Sequence, residues 1–360
     1  MCTSGIAFPI FDIFTAPCYI YCMDKKKLSL FIGSHLLGHY INGNHSVTLF
    51  DDGTKHRATG HWEEKEGKNV WVKDDQDHFY FDFPENFDIK ITDQCDGGCA
   101  YCHENSTVNG KHGDLRRMEP VFRSLHAGTE AAVGGGNALA HPDLLWMLQL
   151  LKEQKVVANL TVNQRHLQKY REMLLRLVSD NLIHGIGISL TDSTNETDKA
   201  IIDELGKNVV IHVIAGIFAP EDVPFVKNRK MLVLGYKDLR RGHSLLEHRS
   251  DSIKANIQWL KEYLPTLKKE TKLISFDCLG IEQIDPKTVL DISDERFNML
   301  FQGSDTDVFD AEGRITCSTM YIDVPNMKVA RMSTAALDKR YDFTGSENIS
   351  DLLKMTTQGW

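Results

Sequence analysis

The chain has 360 residues, of which 42% are hydrophobic and 25% charged, values typical of a soluble globular protein with one large domain or two ordinary ones. Its formal net charge of −9 argues against a protein that wraps nucleic acid, because such binding depends on neutralising phosphates with basic residues. Eight cysteines without a disulfide-like framework favour a reducing cytoplasm, where thiols remain available for metal.

The first segment, Met1–Cys22, is apolar but contains an aspartate and two prolines, and no basic stretch precedes it. It is too short and too interrupted to span a bilayer, so we expect no membrane association. We interpret it as a leader that is disordered or not native, with an ordinary chain start at Met23.

Residues 23–84 contain short alternating apolar and polar runs separated by turn signals, a pattern that predicts an N-terminal antiparallel β meander. The predicted strands include Ser46–Phe50, Asn69–Val72 and His78–Phe83. We assign no chemistry to this segment and expect it to cover the bottom or an edge of the sheet that follows.

Residues 85–285 alternate short strand-like runs with segments of helical periodicity, which predicts repeated βα units around a parallel sheet. We therefore expect an α/β fold, a partial (β/α)6 TIM-like barrel, with functional residues after the carboxyl ends of the strands. Residues 286–360 return to short strands and turns, and predict a small C-terminal β cap and tail. Cys278 and Cys317 are expected to be buried free thiols.

Three cysteines with the spacing C-x3-C-x2-C directly follow the strand-like run Phe87–Thr92. They are Cys95, Cys99 and Cys102, and the glycine pair Gly97–Gly98 allows a tight turn between the first two. Three thiolates on one loop can hold three irons of a cubane cluster and leave the fourth iron without a protein ligand. The alternative is a pair of buried thiols with the third cysteine as a bystander.

This loop, with Tyr101 before the last cysteine, resembles the signature of the radical S-adenosylmethionine (SAM) superfamily. The resemblance continues at Gly134–Pro142, Thr161–Asn163 and Gly187–Leu190, and it covers roughly residues 85 to 280. The C-terminal strand Thr319–Asp323 is similar to uncharacterised members of this superfamily found in bacteriophage genomes.

The resemblance implies one 4Fe-4S cluster held by the three cysteines, and SAM as the second cofactor. In this family, reductive cleavage of SAM gives a 5′-deoxyadenosyl radical that removes a hydrogen atom from the substrate. The residues that the resemblance places against SAM are Tyr101, Gly134, Gly135, Gly136, Asn137, Asn163 and Ser189. Asn137 stands where the family has a glutamate, so an amide would replace a charge-assisted hydrogen bond to the methionine ammonium group.

A basic segment interrupts this acidic chain between Lys227 and Arg249. Within it, Lys237, Arg240 and Arg241 follow the sixth predicted strand and should lie on the catalytic rim. We predict that they bind a phosphate or carboxylate of the substrate. The alternative is a solvated loop that binds nothing.

The sequence thus predicts a cytoplasmic radical SAM enzyme that abstracts hydrogen from an anionic small-molecule or polymer-linked substrate, with a nucleotide or modified nucleobase as the expected class. Nucleic acid enters only as a substrate, and the expected electron donor is a protein such as flavodoxin or ferredoxin. The alternatives are a radical SAM peptide maturase and an iron–sulfur binding protein without SAM chemistry. The sequence assigns no catalytic acid or base.

Overall fold

The computed structural model describes residues 36–51, 53–74, 79–192, 195–300 and 309–358. The predictions for the leader and for the chain start at Met23 fall outside these ranges. Within them, the structure contains no helix that is both long and apolar enough to cross a membrane.

The strands and helices alternate along most of the chain. The strands are β1 (Leu36–Asn42), β2 (His45–Phe50), β3 (Lys55–Lys65), β4 (Lys68–Lys73), β5 (Asn86–Thr92), β6 (Glu130–Gly135), β7 (Val157–Asn163), β8 (Gly185–Ser189), β9 (Val209–Ile214), β10 (Lys230–Leu234), β11 (Leu273–Phe276), β12 (Thr319–Asp323), β13 (Lys328–Ala330) and β14 (Tyr341–Asp342). The helices are α1 (Glu119–Arg123), α2 (Leu144–Glu153), α3 (Leu167–Ser179), α4 (Glu196–Leu205), α5 (Val223–Val226), α6 (Arg241–Glu270), α7 (Cys278–Ile284), α8 (Pro286–Val289), α9 (Asp294–Leu300) and α10 (Ile349–Thr356).

The first four strands form an antiparallel sheet in the order β1-β2-β3-β4, so the predicted meander is present. Its first turn contains Gly43 with a φ of 54°, a conformation that glycine adopts without strain. The strand predicted for His78–Phe83 is not found among its described members, residues 79–83. There the side chain of Asn42 accepts hydrogen bonds from the backbone of Asp82 and Phe83, in place of a neighbouring strand.

The larger sheet has the order β11-β10-β9-β8-β7-β6-β5-β12-β13-β14, and every pairing from β11 to β12 is parallel. The parallel strands β5–β11 agree with the repeated βα units expected from the sequence, and β12 extends the sheet beyond β5. Because β5 and β10 are separated by four strands in this order, contacts between the loops that follow them span the mouth of a curled sheet.

The C-terminal strands differ from the expected cap, because they continue the main sheet. β12 runs parallel to β5, with Ile322 opposite Ile89, and all five of its residues are buried. A strand buried on both faces is typical of a parallel sheet. Cys317 is a buried free thiol, as predicted, whereas Cys278 is disulfide-bonded, so the prediction of a free thiol there is wrong.

The antiparallel sheet contacts the amino-terminal ends of the parallel strands. The ring of His184, which precedes β8, donates a hydrogen bond to the carbonyl of Asp51 at 2.9 Å. Lys207, which precedes β9, forms an ion pair with the Asp51 carboxylate at 3.0 Å. The carboxyl ends of the parallel strands, where the sequence predicts the active site, lie away from these contacts.

Candidate active site

The cysteine loop follows β5 directly and carries three half-buried thiols. A Cβ atom built on Gly97 would lie 3.3 Å from the Cys95 Sγ atom and 3.8 Å from the Cys99 Sγ atom. Both thiols therefore border the same small space. The backbone amide of Cys95 donates to the carbonyl of Thr107 at 2.8 Å, which ties the start of the loop to its return segment.

Burial raises the pKa of the Cys95 thiol, and the neighbouring Cys99 and Cys102 raise it further. Burial also raises the pKa of Cys99, although the Arg165 guanidinium opposes the shift. Three thiols this close would repel one another as thiolates, and a bound cation removes that repulsion. The donor set therefore fits an iron–sulfur cluster, which is held by cysteine thiolates.

Polar groups at the ends of β7 and β8 support the cysteine loop. The Asn163 amide donates to the Cys99 Sγ atom at 3.4 Å and to the Thr191 hydroxyl at 2.7 Å. The hydroxyl of Tyr101 donates to the carbonyl of Leu190 at 3.4 Å, and the Arg165 guanidinium donates to the carbonyl of Gly97. Of the residues predicted to contact SAM, Tyr101 thus belongs to this loop and Asn163 contacts it.

The glycines that end β6 allow it to approach the cysteine loop closely. A Cβ atom on Gly135, whose φ is 116°, would lie 2.6 Å from the Thr92 carbonyl oxygen. A Cβ atom on Gly136 would lie 2.2 Å from the carbonyl oxygen of Gln94. Larger residues at either position would therefore push the two segments apart.

Asn137 is buried directly after these glycines, and its side-chain nitrogen lies 3.4 Å from an Asp96 carboxylate oxygen. The same oxygen is 2.8 Å from the His166 Nε2 atom. In this arrangement the Asn137 amide donates toward a carboxylate of the cysteine loop. Potential ligand atoms of Cys95, Asp96 and His166 lie within 4.8 Å of one another, so these three side chains could also hold a metal ion.

A cavity of about 350 Å³ occupies the lumen of the curled sheet and extends from the cysteine-loop end toward the antiparallel sheet. Gly134, Gly135, Ser189 and Lys237 line it, together with His103, which follows the last cysteine. Four of the predicted site residues therefore line one cavity. The volume lies near the lower limit of small-molecule sites, which span roughly 300–1,000 Å³.

The predicted anion-binding residues divide into two groups in the structure. The Lys237 Nζ atom lies in the cavity, 3.2 Å from the His103 Nε2 atom and 3.2 Å from the Ser333 hydroxyl. Arg240 donates to the carbonyl of His103 at 2.8 Å, and Arg241 donates to the carbonyl of Ser106 at 2.7 Å. The two arginines therefore hold the segment after Cys102, on the opposite side of the mouth.

Sequence reasoning missed a buried charge cluster at the same end of the lumen. Lys90, which is 4% exposed, forms ion pairs with Asp93 at 2.6 Å, with Glu104 at 3.0 Å and with Asp323 at 3.4 Å. The sequence feature that could have indicated this cluster is a lysine between two isoleucines in the middle of a buried strand. Glu104 and Asp323 come from distant segments, and only the fold brings them together.

Arg240 and Arg340 complete this cluster, at 3.4 Å from Glu104 and 3.8 Å from Asp323. Its three cations and three carboxylates balance in charge. Lys237 forms no ion pair with any described residue, but its charge acts on Asp277, whose pKa is raised by burial and lowered by Lys237.

The fold resembles two solved structures of SuiB from Streptococcus suis. For SuiB bound to the precursor peptide SuiA, the TM-score is 0.51 at 14% identity, and the match covers 78% of this chain and 66% of that chain. For SuiB bound to S-adenosylmethionine, the TM-score is 0.50 at 13% identity, with 78% and 67% covered. The chain thus spans about two thirds of the length of these structures, and at such identities the likeness concerns the fold alone. No family model and no curated protein matches the sequence.

Proposed function

We propose that this protein is a radical SAM enzyme that acts on a substrate bound in the lumen of its curled sheet. The observation that carries the proposal is the set of three clustered thiols after the carboxyl end of β5, at the same end of the sheet as the cavity-lining Gly134, Gly135 and Ser189. In α/β sheets this edge is where ligands and catalytic residues gather. The fold likeness to SuiB, which was solved with bound SAM, supports the same proposal.

In this proposal Cys95, Cys99 and Cys102 hold a 4Fe-4S cluster, and SAM binds beside them. Together the two cofactors would supply a species that abstracts hydrogen from the substrate. The SAM-contacting residues are those that the resemblance implied: Tyr101, Gly134, Gly135, Gly136, Asn137, Asn163 and Ser189. The chain itself positions the loop, keeps the site enclosed and orients the bound molecules.

For the substrate we propose an anionic molecule, or the anionic end of a polymer, whose charge meets Lys237. An anionic group of the substrate would pair with Lys237, which forms no ion pair within the part of the chain described. A nucleotide or modified nucleobase remains the proposed class. The two neighbouring arginines already donate to carbonyl groups, so the proposed contact with the substrate anion rests on Lys237. A flavodoxin or ferredoxin is the proposed electron donor, and the cytoplasm the proposed compartment.

A peptide maturase is the second candidate. It is motivated by the likeness to SuiB in complex with its precursor peptide, and an acidic peptide side chain would also match Lys237. The third candidate, an iron–sulfur protein that does not cleave SAM, is motivated by the neutral Asn137 at the position of the family's glutamate.

The decisive experiment measures 5′-deoxyadenosine release by anaerobically reconstituted, reduced protein supplied with SAM. We expect slow release without substrate and faster release when nucleotides, short DNA or acidic peptides are added in turn. Stimulation by the peptides alone would favour the maturase. If the protein retains its iron but releases no 5′-deoxyadenosine above a cluster-free control, the non-catalytic candidate replaces our proposal.

A further inference from the structure

The lumen of the curled sheet is hollow because small residues occupy positions that point inward. Barrels of this type usually fill these positions with bulky branched side chains. Here the small residues Ala132, Gly134, Thr161 and Gly187 line the cavity among larger branched ones. The chain therefore keeps space for a ligand below the level of the cysteine loop.

One polar side chain in this wall makes no hydrogen bond within the described part of the chain. His212 on β9 lines the cavity and is paired in register with Ser189 on one side and Leu232 on the other. Neither of its ring nitrogens makes a hydrogen bond to any residue that the structure describes. Burial lowers its pKa to about 4, so the imidazole is neutral at physiological pH. The side chain is half-buried and borders the cavity, so a bound ligand could reach its ring nitrogens.

A glycine on the adjacent strand makes room for this ring. A Cβ atom on Gly187 would lie 2.1 Å from the His212 Cε1 atom and 2.3 Å from its Nε2 atom. Any other residue at this position would therefore displace the imidazole. The His212 ring therefore packs directly against the backbone of β8 at Gly187, which restricts its position.

The geometry points to His212 as a ligand-binding residue that hydrogen-bonds an uncharged amide-like edge, such as a nucleobase edge or a carboxamide, deep in the lumen. A neutral imidazole offers one donor and one acceptor, and an amide edge offers the complementary pair. Leu232 and Leu234 supply an apolar wall for the flat face of such a group. This inference rests on the proposed function only in taking the ligand to be the substrate, whose anionic group would meet Lys237.

Three probes separate the amide edge from the anion. Uridine 5′-monophosphate and N-acetylglutamine each carry an anion and an amide edge, whereas ribose 5-phosphate carries the anion alone. Binding is measured by calorimetry on the anaerobically reconstituted full chain without reductant. We expect at least one amide probe to bind wild type about 10-fold more tightly than ribose 5-phosphate, which corresponds to about one additional hydrogen bond.

In His212→Phe the preferred amide probe should lose about 10-fold in affinity, while ribose 5-phosphate should bind as before. Gly187→Ala should have the same effect by displacing the ring, and His212→Gln should restore part of the affinity. The exposed His248→Phe is the matched control and should match wild type. Because Gly187→Ala and His212→Gln test the same contact, the inference does not depend on His212→Phe folding.

The inference is overturned if neither amide probe outperforms ribose 5-phosphate on wild type. It is equally overturned if the His212 and Gly187 variants bind the preferred probe as tightly as wild type does. Calorimetry requires no SAM cleavage, so probes that bind through His212 to a protein releasing no 5′-deoxyadenosine would refute the proposed function and leave this inference standing.

Discussion

The two ends of the parallel sheet both bury charged residues, but they do so differently. At the amino-terminal end Glu85 is fully buried and meets His45 at 2.8 Å, Arg57 at 2.6 Å and Lys55 at 3.4 Å. Lys55 also reaches Glu130 at 2.6 Å. At the carboxyl end, a similarly buried cluster surrounds Lys90, but the cavity-facing Lys237 and His212 beside it form no ion pair with any described residue.

The difference separates a structural cluster from a ligand site. A buried charge is tolerated when groups of opposite charge surround it, as happens where the antiparallel sheet packs against the parallel sheet. Polar groups that find no hydrogen-bond partner in the protein cost free energy to bury, and a ligand that pairs with them can offset this cost. We therefore expect substitutions at the carboxyl end to change ligand binding, and substitutions at the amino-terminal end to change only the free energy of unfolding.

The largest effect should come from the cysteines. Replacing Cys95, Cys99 or Cys102 by Ala should abolish cluster binding, because each would remove one of three protein ligands. Iron and sulfide content after anaerobic reconstitution measures this, with about four of each expected for wild type. Cys317→Ala is the matched control, since its thiol is buried away from the loop. Equal iron loss in that control would refute the assignment.

Breaking the amino-terminal cluster should instead lower stability. Glu85→Gln would leave Arg57 and Lys55 buried without their shared carboxylate, and should lower the free energy of unfolding by about 3–5 kcal/mol. Denaturant unfolding of the cluster-free protein measures the change. Folded Glu85→Gln protein should still bind iron at the wild-type ratio. A variant as stable as wild type would show that the two ends do not differ in the way described.

The third effect concerns the connection across the mouth. Arg241→Ala removes the hydrogen bond to the Ser106 carbonyl, which should weaken the hold on the cysteine segment by about 1.5–3 kcal/mol. We expect faster iron loss to a chelator, with partial recovery in Arg241→Lys. The exposed Lys254→Ala on the same helix serves as the control. Iron release at the wild-type rate in Arg241→Ala would mean that this contact does not position the loop.

The smallest effect is a pH dependence of stability. Burial alone would raise the pKa of Glu85, but Arg57, Lys55 and the hydrogen bond from His45 outweigh it and hold the pKa well below its usual value. The stabilisation is therefore present above the unfolded-state pKa, near 4.3, and is lost as the pH falls toward the folded-state value. Below about pH 5, wild type should lose up to about 1.4 kcal/mol per pH unit from this group. Glu85→Gln should lack this component, and identical acid profiles would contradict the assignment.

Periodicity predicted the βα core, because strands that are buried on both faces and amphipathic helices have distinct patterns. It did not predict that β12 joins the sheet beside β5, since the two segments lie far apart in sequence and nothing local specifies the partner. The contacts of Arg240 and Arg241 with carbonyl groups could not be predicted for the same reason, and the anion-binding role of this basic loop stays a prediction. The proposed role of His212 could not be predicted from the sequence either. It depends on Gly187 of the adjacent strand β8, which has no side chain and so leaves room for the ring.

The most direct test of the central claim is the electron paramagnetic resonance spectrum of the reduced, reconstituted protein, recorded with and without SAM. If the three cysteines hold a cluster with one open iron, SAM should bind at that iron and change the spectrum. The change should saturate with SAM concentration. A cluster signal that is identical at saturating SAM would contradict the account.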